Sequence, residues 1–118
     1  MSKTLEKIVL QNLLYNEDYS RKVAPFLKAE YFHDRHERIV FDIAQNFILS
    51  YNNLPTKEVI IIEVDKLKNI NEIDFKTIQS VLDDLSNEEV DFSWLVEQTE
   101  NFCKDKAVYN AIMESIHI

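Results

Sequence analysis

The stretch Asp34–Tyr51, DRHERIVFDIAQNFILSY, is the most regular segment of the chain and decides its fold class. Apolar residues recur in it at every third or fourth position: Ile39, Val40, Ile43, Ala44, Phe47, Ile48 and Tyr51. This spacing follows the 3.6-residue period of an α-helix, so it predicts one buried helical face with Phe47 in the core. Asp34 and Glu37 are placed like a capping box, and the turn signal Asn52-Asn53-Leu54-Pro55 ends the helix.

Helical spacing also occurs on both sides of this segment. Residues 4–14 predict a first helix, and Asn16 can cap a short second helix that Pro25 stops. The β-branched run Val59–Ile62 favours a strand, but its surroundings keep helical spacing, so we assign it to a helix. Further helices carry two apolar sets: Phe75, Ile78, Val81, Leu82 and Leu85, and then Leu95, Phe102, Tyr109, Ile112, Met113 and Ile116. The sequence therefore predicts an all-α, compact multi-helix domain that ends in a long helix.

The chain has 118 residues and no glycine, although average usage of about 7% would give about eight. Loops that cradle phosphates need glycine, because their backbone adopts positive φ and approaches the phosphates closely. Neither a Walker A loop nor a dinucleotide-binding fingerprint is therefore present. We expect no catalysis, no catalytic residue, no cofactor and no metal in this chain.

Other polar residues give weaker indications of a site. His33 and His36 could belong to a zinc site, but too few further ligands lie nearby, so a solvated helix start is the preferred interpretation. Asp83-Asp84 and Glu88-Glu89 are interpreted as solvated acidic surface. Two basic groups could touch phosphates: Arg21 with Lys22, and Arg35 with Arg38. Ordinary surface charge is the simpler explanation. The single cysteine, Cys103, fits a small half-buried position. Because one cysteine cannot form a disulfide within the chain, we expect a reducing, cytoplasmic setting.

Charge is distributed unevenly along the chain, whose formal net charge is −8. Residues 1–40 hold seven Lys and Arg and six Asp and Glu, a balance of +1, whereas residues 41–118 hold six and fifteen, a balance of −9. Binding to nucleic-acid phosphates depends on Lys and Arg, so we expect weak or no direct DNA binding and favour a protein partner. No apolar run approaches the length of a membrane span, so we expect no contact with a membrane.

Essentially the whole sequence resembles the N-terminal domain of DnaB-like replicative DNA helicases, of the type found in T-even tailed phages, and two parts carry the resemblance. The first part holds Phe32, His36, Ile39, Val40 and Phe41 ahead of the turn. The second runs from Phe92-Ser93-Trp94-Leu95-Val96 through Ala107-Val108-Tyr109-Asn110-Ala111 and is the more specific. Bacterial members carry glycine in the turn where this chain has Asn52-Asn53, so the turn geometry is a point of departure.

The resemblance implies a role for the chain. It implies the non-catalytic collar of a hexameric ring, which serves ring assembly and primase docking, beside a separate ATPase domain that uses ATP and Mg²⁺. The implied partners are other copies of the chain, as a dimer or hexameric ring, with primase and a helicase loader, in the cytoplasm of the host cell. An alternative is a free-standing acidic helical adaptor or inhibitor protein of a phage.

The last helix is where we expect partner contacts. Residues 1–90 are predicted to form the globular domain, and residues 91–118 a long helix that is truncated and leads toward the ATPase domain. The last seven residues lack Gly, Asn and Pro, and natural helices usually end with such a signal. The predicted partner interface consists of aromatic and aliphatic side chains of this helix: Trp94, Tyr109, Ile112, Met113 and Ile116. Phe102 of the same helix is expected in the core.

Overall fold

The computed structural model describes residues 4–116 of the chain. Its α-helices are α1 (Leu5–Tyr15), α2 (Glu17–Val23), α3 (Arg35–Tyr51), α4 (Lys57–Asp65), α5 (Glu72–Asp84) and α6 (Phe92–Ile116), with a 3₁₀ turn at Ala29–Tyr31. No strand occurs within residues 4–116, so the predicted all-α fold with a long final helix is confirmed, including the helical assignment of Val59–Ile62. None of the helices in this range combines the length and hydropathy of a membrane span. The sequence predicts that the last helix has no helix-ending signal in its last seven residues. Two of these residues, His117 and Ile118, lie outside the described residues.

Short polar side chains fix where the helices begin. Thr4, Asn16, Asp34, Thr56 and Asn71 each accept a hydrogen bond from a backbone N–H in the first turn of the helix that follows. These bonds satisfy donors that a helix start otherwise leaves free. A complete capping box, which the sequence predicts at Asp34 and Glu37, occurs at α5 between Asn71 and Asp74, whereas α3 shows the bond from Glu37 N to Asp34.

Asn52 performs the backbone role that glycine has in many helix ends. Its φ of 54° and ψ of 34° lie in the left-handed region, and its N–H donates to Ile48 O. Asparagine tolerates this region better than most residues with a Cβ, because its short side chain can hydrogen-bond locally. The turn after α3 therefore forms without the glycine that bacterial members carry at this place.

The core forms around α1 and α3: α1 packs against α2 and α3, α3 packs also against α4 and α5, and α6 packs against α2 and the 3₁₀ turn. Helix α1 is buried on more than one face, because Leu10 and Leu14 are enclosed as well as Val9 and Leu13. Within α3, the buried residues are Glu37, Val40, Phe41, Ala44 and Ile48. These positions lie on one side of the helix, and that side packs against the other helices.

The prediction that Phe47 lies in the core is wrong. Phe47 is half-buried, and its ring lies 4.7 Å from the ring of Tyr51, which is itself 65% exposed. The apolar stripe of α3 is wider than the surface that the other helices cover. Phe47 and Tyr51 form one flank of the stripe, next to the buried line through Val40, Ala44 and Ile48, and therefore remain near solvent.

Candidate protein-interaction surface

The first half of α6 is built into the domain. Asp91 caps the helix by accepting a hydrogen bond from Trp94 N at 2.9 Å. Leu95, Thr99 and Phe102 then face inward and are buried. These three residues are spaced by four and three positions, so one face of the helix carries all of them. The expected core position of Phe102 is confirmed.

Aromatic rings surround Phe102. Its ring centroid lies 6.3 Å from Tyr31 in an edge-to-face arrangement and 5.8 Å from Phe32, which in turn lies 5.0 Å from Phe41. Edge-on and tilted geometries of this kind are the favourable ones for aromatic pairs. The cluster joins α6 to α3 and to the segment that precedes it.

A buried hydrogen-bond chain also ties α6 to α2. The hydroxyls of Tyr19 and Thr99 are 2.7 Å apart, and the Thr99 hydroxyl donates to Leu95 O, also at 2.7 Å. A threonine hydroxyl has one proton, so Tyr19 must be the donor to Thr99. Burial raises the pKa of Tyr19 above its ordinary value, which keeps this donor protonated.

Contact between α6 and the domain weakens after Phe102. Lys106 Nζ lies 3.7 Å from Glu6 Oε1 and 5.9 Å from the centre of the Phe102 ring. Beyond Lys106 the next residue on the inward line is the half-buried Asn110. Apolar side chains continue past this point: Tyr109 and Met113 stay close to the inward line but are exposed, whereas Val108, Ile112 and Ile116 lie on the adjacent face.

The five apolar residues form one exposed stripe on this part of the helix, which we call the outer stripe: Val108, Tyr109, Ile112, Met113 and Ile116. Each is between 37% and 67% exposed. The stripe contains four of the five residues predicted as a partner interface. Val108 was missed, although its spacing of four and eight residues from Ile112 and Ile116 was a visible signal. Contiguous exposed apolar surface is a feature of interaction sites.

Trp94, the fifth predicted interface residue, is 44% exposed but does not join the outer stripe. It precedes Ile112 by five helical turns, so the two residues point the same way at a separation of about 27 Å along the helix axis. Polar residues occupy the helix face between them: Gln98, Asn101 and Asp105. The structure thus divides the predicted interface into two sites, and their binding role stays a prediction.

The histidine segment is a structural contact between two helices. His36 Nε2 lies 3.0 Å from Asp74 Oδ1, and Arg35 Nη1 lies 3.0 Å from the same oxygen. The hydrogen bond from His36 is the main reason that the pKa of Asp74 is lowered. The interpretation of His36 as solvated is wrong, because α5 packs against α3 and covers it. Among residues 4–116, no three His, Cys, Asp or Glu side chains are grouped to hold a metal ion.

Most of the basic residues that could have touched phosphates have internal partners. Arg21 pairs with Glu17, and Arg35 pairs with Asp74. Arg38 donates to the carbonyl oxygens of Phe32 and His33, at 3.0 and 2.8 Å. The sequence interpreted them as ordinary surface charge, and three of the four side chains contact neighbouring groups of the chain itself.

Cys103 and the paired carboxylates match their simpler interpretations. Cys103 is half-buried, and burial, with a smaller contribution from Glu100, raises the pKa of its thiol. A raised pKa lowers the thiolate fraction at neutral pH and so disfavours a nucleophilic role. Asp83, Asp84, Glu88 and Glu89 are exposed, as predicted for an acidic surface.

Comparison with known proteins agrees with the resemblance noted in the sequence. No protein-family model matches the chain. A DnaB-like replicative helicase of Enterobacteria phage T4 is 24% identical to it over 112 residues. The aligned region covers 95% of this chain but 23% of the helicase, so the chain spans about a quarter of that protein's length. The predicted resemblance is confirmed: almost the whole chain is similar to one part of a DnaB-like replicative helicase.

Proposed function

We propose that the chain is the N-terminal collar domain of a hexameric replicative DNA helicase of a phage, working in the host cytoplasm without catalysis of its own. The observation that carries this proposal is the similarity over 95% of the chain to part of a DnaB-like replicative helicase. A separate ATPase domain would supply ATP hydrolysis, with Mg²⁺, and the unwinding of DNA.

The outer stripe supports a role in ring assembly. Its five apolar side chains are 37–67% exposed within residues 4–116, and burying them further against another protein would be favourable. Identical chains most often bury such a surface in a two-fold contact, in which each copy offers the same face. We therefore assign the outer stripe to contacts between copies of the chain.

Primase docking is assigned to the surface around Trp94. A large aromatic residue that is partly exposed is typical of the residues that dominate binding energy at interfaces. Trp94 lies about five turns of helix from the centre of the outer stripe, so a primase bound there would leave the stripe free. A helicase loader is a further candidate partner for the same surface.

The primase assignment can be tested with two variants of α6. The chain is mixed with the primase encoded in the same genome, and the complex is measured by size-exclusion chromatography with light scattering. Trp94→Ala should weaken the complex at least about tenfold, as expected for an interface hot spot, whereas Ile112→Glu with Ile116→Glu should leave it unchanged. A complex that loses affinity in the stripe variant alone would contradict the assignment.

The coding sequence provides an independent test of the helicase proposal. We expect the reading frame to continue past Ile118 into a segment with the pattern GxxxxGK[ST], which holds the phosphates of ATP in helicase ATPase domains. A stop codon immediately after Ile118 would instead favour the free-standing adaptor or inhibitor.

Weak DNA binding follows from the charge and from the paired arginines. With a net charge of −8, the chain should bind a fluorescent oligonucleotide at physiological salt no more tightly than ordinary non-specific complexes, whose dissociation constants are about 10⁻⁴–10⁻⁶ M. Fluorescence anisotropy measures this directly. A salt-dependent dissociation constant tighter than about 1 μM would contradict the expectation.

A further inference from the structure

An apolar groove lies between α2 and α6, away from the outer stripe. Its volume is about 300 Å³, and it opens beside Phe26, which is 68% exposed. The remaining lining comes from both helices: Lys22, Val23, Val96, Thr99, Glu100, Cys103 and Lys104. The two sides of the groove are about 80 positions apart in the sequence, so the sequence pattern gave no indication of it.

The floor of the groove offers few hydrogen-bonding groups. The Thr99 hydroxyl is already engaged with Tyr19 and with Leu95 O, which leaves its methyl group for the groove. Cys103 contributes a thiol that is half-buried and protonated. A surface of this kind accepts an apolar side chain better than a polar one, because a buried polar group without a partner is costly.

Two lysines flank the groove. Lys22 and Lys104 are both exposed, and neither forms an ion pair with any other described residue. Glu100 also lines the groove and lies one turn before Lys104, yet the two are not within ion-pairing distance in residues 4–116. By contrast, Arg21 and Lys106, which neighbour these positions, are paired with Glu17 and Glu6.

We propose that this groove binds an acidic amphipathic segment of another protein, with an apolar side chain seated beside Phe26 and carboxylates placed on Lys22 and Lys104. Unpaired cations around an apolar depression complement such a segment in both charge and hydropathy. A chain with a net charge of −8 would repel an acidic partner elsewhere, so these lysines also determine where the segment docks. The proposal does not depend on the helicase assignment.

The probe for this site is a synthetic, end-capped helical peptide with Leu and Phe on one face and Asp and Glu on the other. Binding to the labelled peptide is followed by fluorescence anisotropy. We expect the double variant Lys22→Glu with Lys104→Glu to weaken binding about tenfold or more. Each substitution removes an attraction to a peptide carboxylate and replaces it with a repulsion. The matched control is Lys28→Glu with Lys68→Glu, which changes the net charge equally at exposed positions outside the groove and should have a much smaller effect.

Cys103 provides a second readout, because it is the single cysteine of the chain and lines the groove. The acidic peptide should slow alkylation of Cys103 by iodoacetamide, whereas a version with Leu and Phe replaced by Ala should not. Equal weakening by the two charge variants, or equal binding of the Ala peptide, would overturn the proposal. The proposal would also be overturned if, without peptide, alkylation of Cys103 became slower as the protein concentration increased. A second copy of the chain would then occupy the groove.

Discussion

The two halves of α6 are equally helical but differ in what their apolar residues contact. In the inner half, residues 92–104, the inward line carries Leu95, Thr99 and Phe102, and all three are buried. In the outer half, residues 105–116, the same line carries Lys106, Asn110 and Met113, and the apolar residues are exposed as the outer stripe. Lys106 marks where packing within the domain ends, because the apolar residues of the outer stripe beyond it are 37–67% exposed. The helix thus continues beyond the part that packs in the domain and leaves apolar side chains exposed.

Truncation of one aromatic residue in each half should give the largest difference between them. Phe102→Ala should lower the free energy of unfolding by about 3–5 kcal/mol, because it empties the site beside Tyr31 and Phe32. Tyr109→Ala, on the outer stripe, should change it by less than about 0.5 kcal/mol at a dilution where copies are separate. Urea denaturation of both variants measures the difference. A cost above about 2 kcal/mol for Tyr109→Ala would place the outer half in the domain's own core.

The hydrogen bond of the inner half should have an intermediate effect. Tyr19→Phe removes the donor to Thr99 and should lower the free energy of unfolding by about 1 kcal/mol, the usual net value of such a bond. Tyr51→Phe removes a hydroxyl from an exposed ring and is the matched control, with an expected change near zero. Thermal melting of the two variants compares them, and equal stability would show that the Tyr19–Thr99 bond contributes nothing.

The ion pair at the boundary between the halves should matter least. Lys106→Ala removes the pair with Glu6 and the contact with the Phe102 ring, and should cost about 0.5 kcal/mol at low salt. The part due to the ion pair should diminish as salt is added. Lys104→Ala, which removes an exposed lysine two residues away, serves as the control in the same denaturation series. If both variants lose the same stability, the Lys106–Glu6 contact has no specific role.

Local signals in the sequence were sufficient for the helices. The cap at Asp34 and the turn at Asn52 gave the bounds of α3, and helical spacing correctly resolved the β-branched run Val59–Ile62. The outer stripe was also predictable, because residues four apart on a helix share a face whatever the helix packs against.

Features that depend on distant parts of the chain were not predictable in this way. Whether Phe47 enters the core depends on how much of the α3 stripe the other helices cover, which no spacing within α3 reveals. The contact of His36 with Asp74 joins residues 38 positions apart. The groove likewise exists only once α2 and α6 pack together.

Sedimentation equilibrium over a range of protein concentrations tests the assignment of the outer stripe to contacts between copies most directly. The unmodified chain should form a dimer as its concentration rises, whereas Ile112→Glu with Ile116→Glu should remain monomeric and keep its helical circular dichroism. Ala107→Glu with Ala111→Glu adds the same charge at exposed positions outside the stripe and should still dimerise. An unmodified chain that remains monomeric at high concentration would contradict the account. So would an Ile112→Glu, Ile116→Glu variant that unfolds, because the stripe would then belong to the domain's own core.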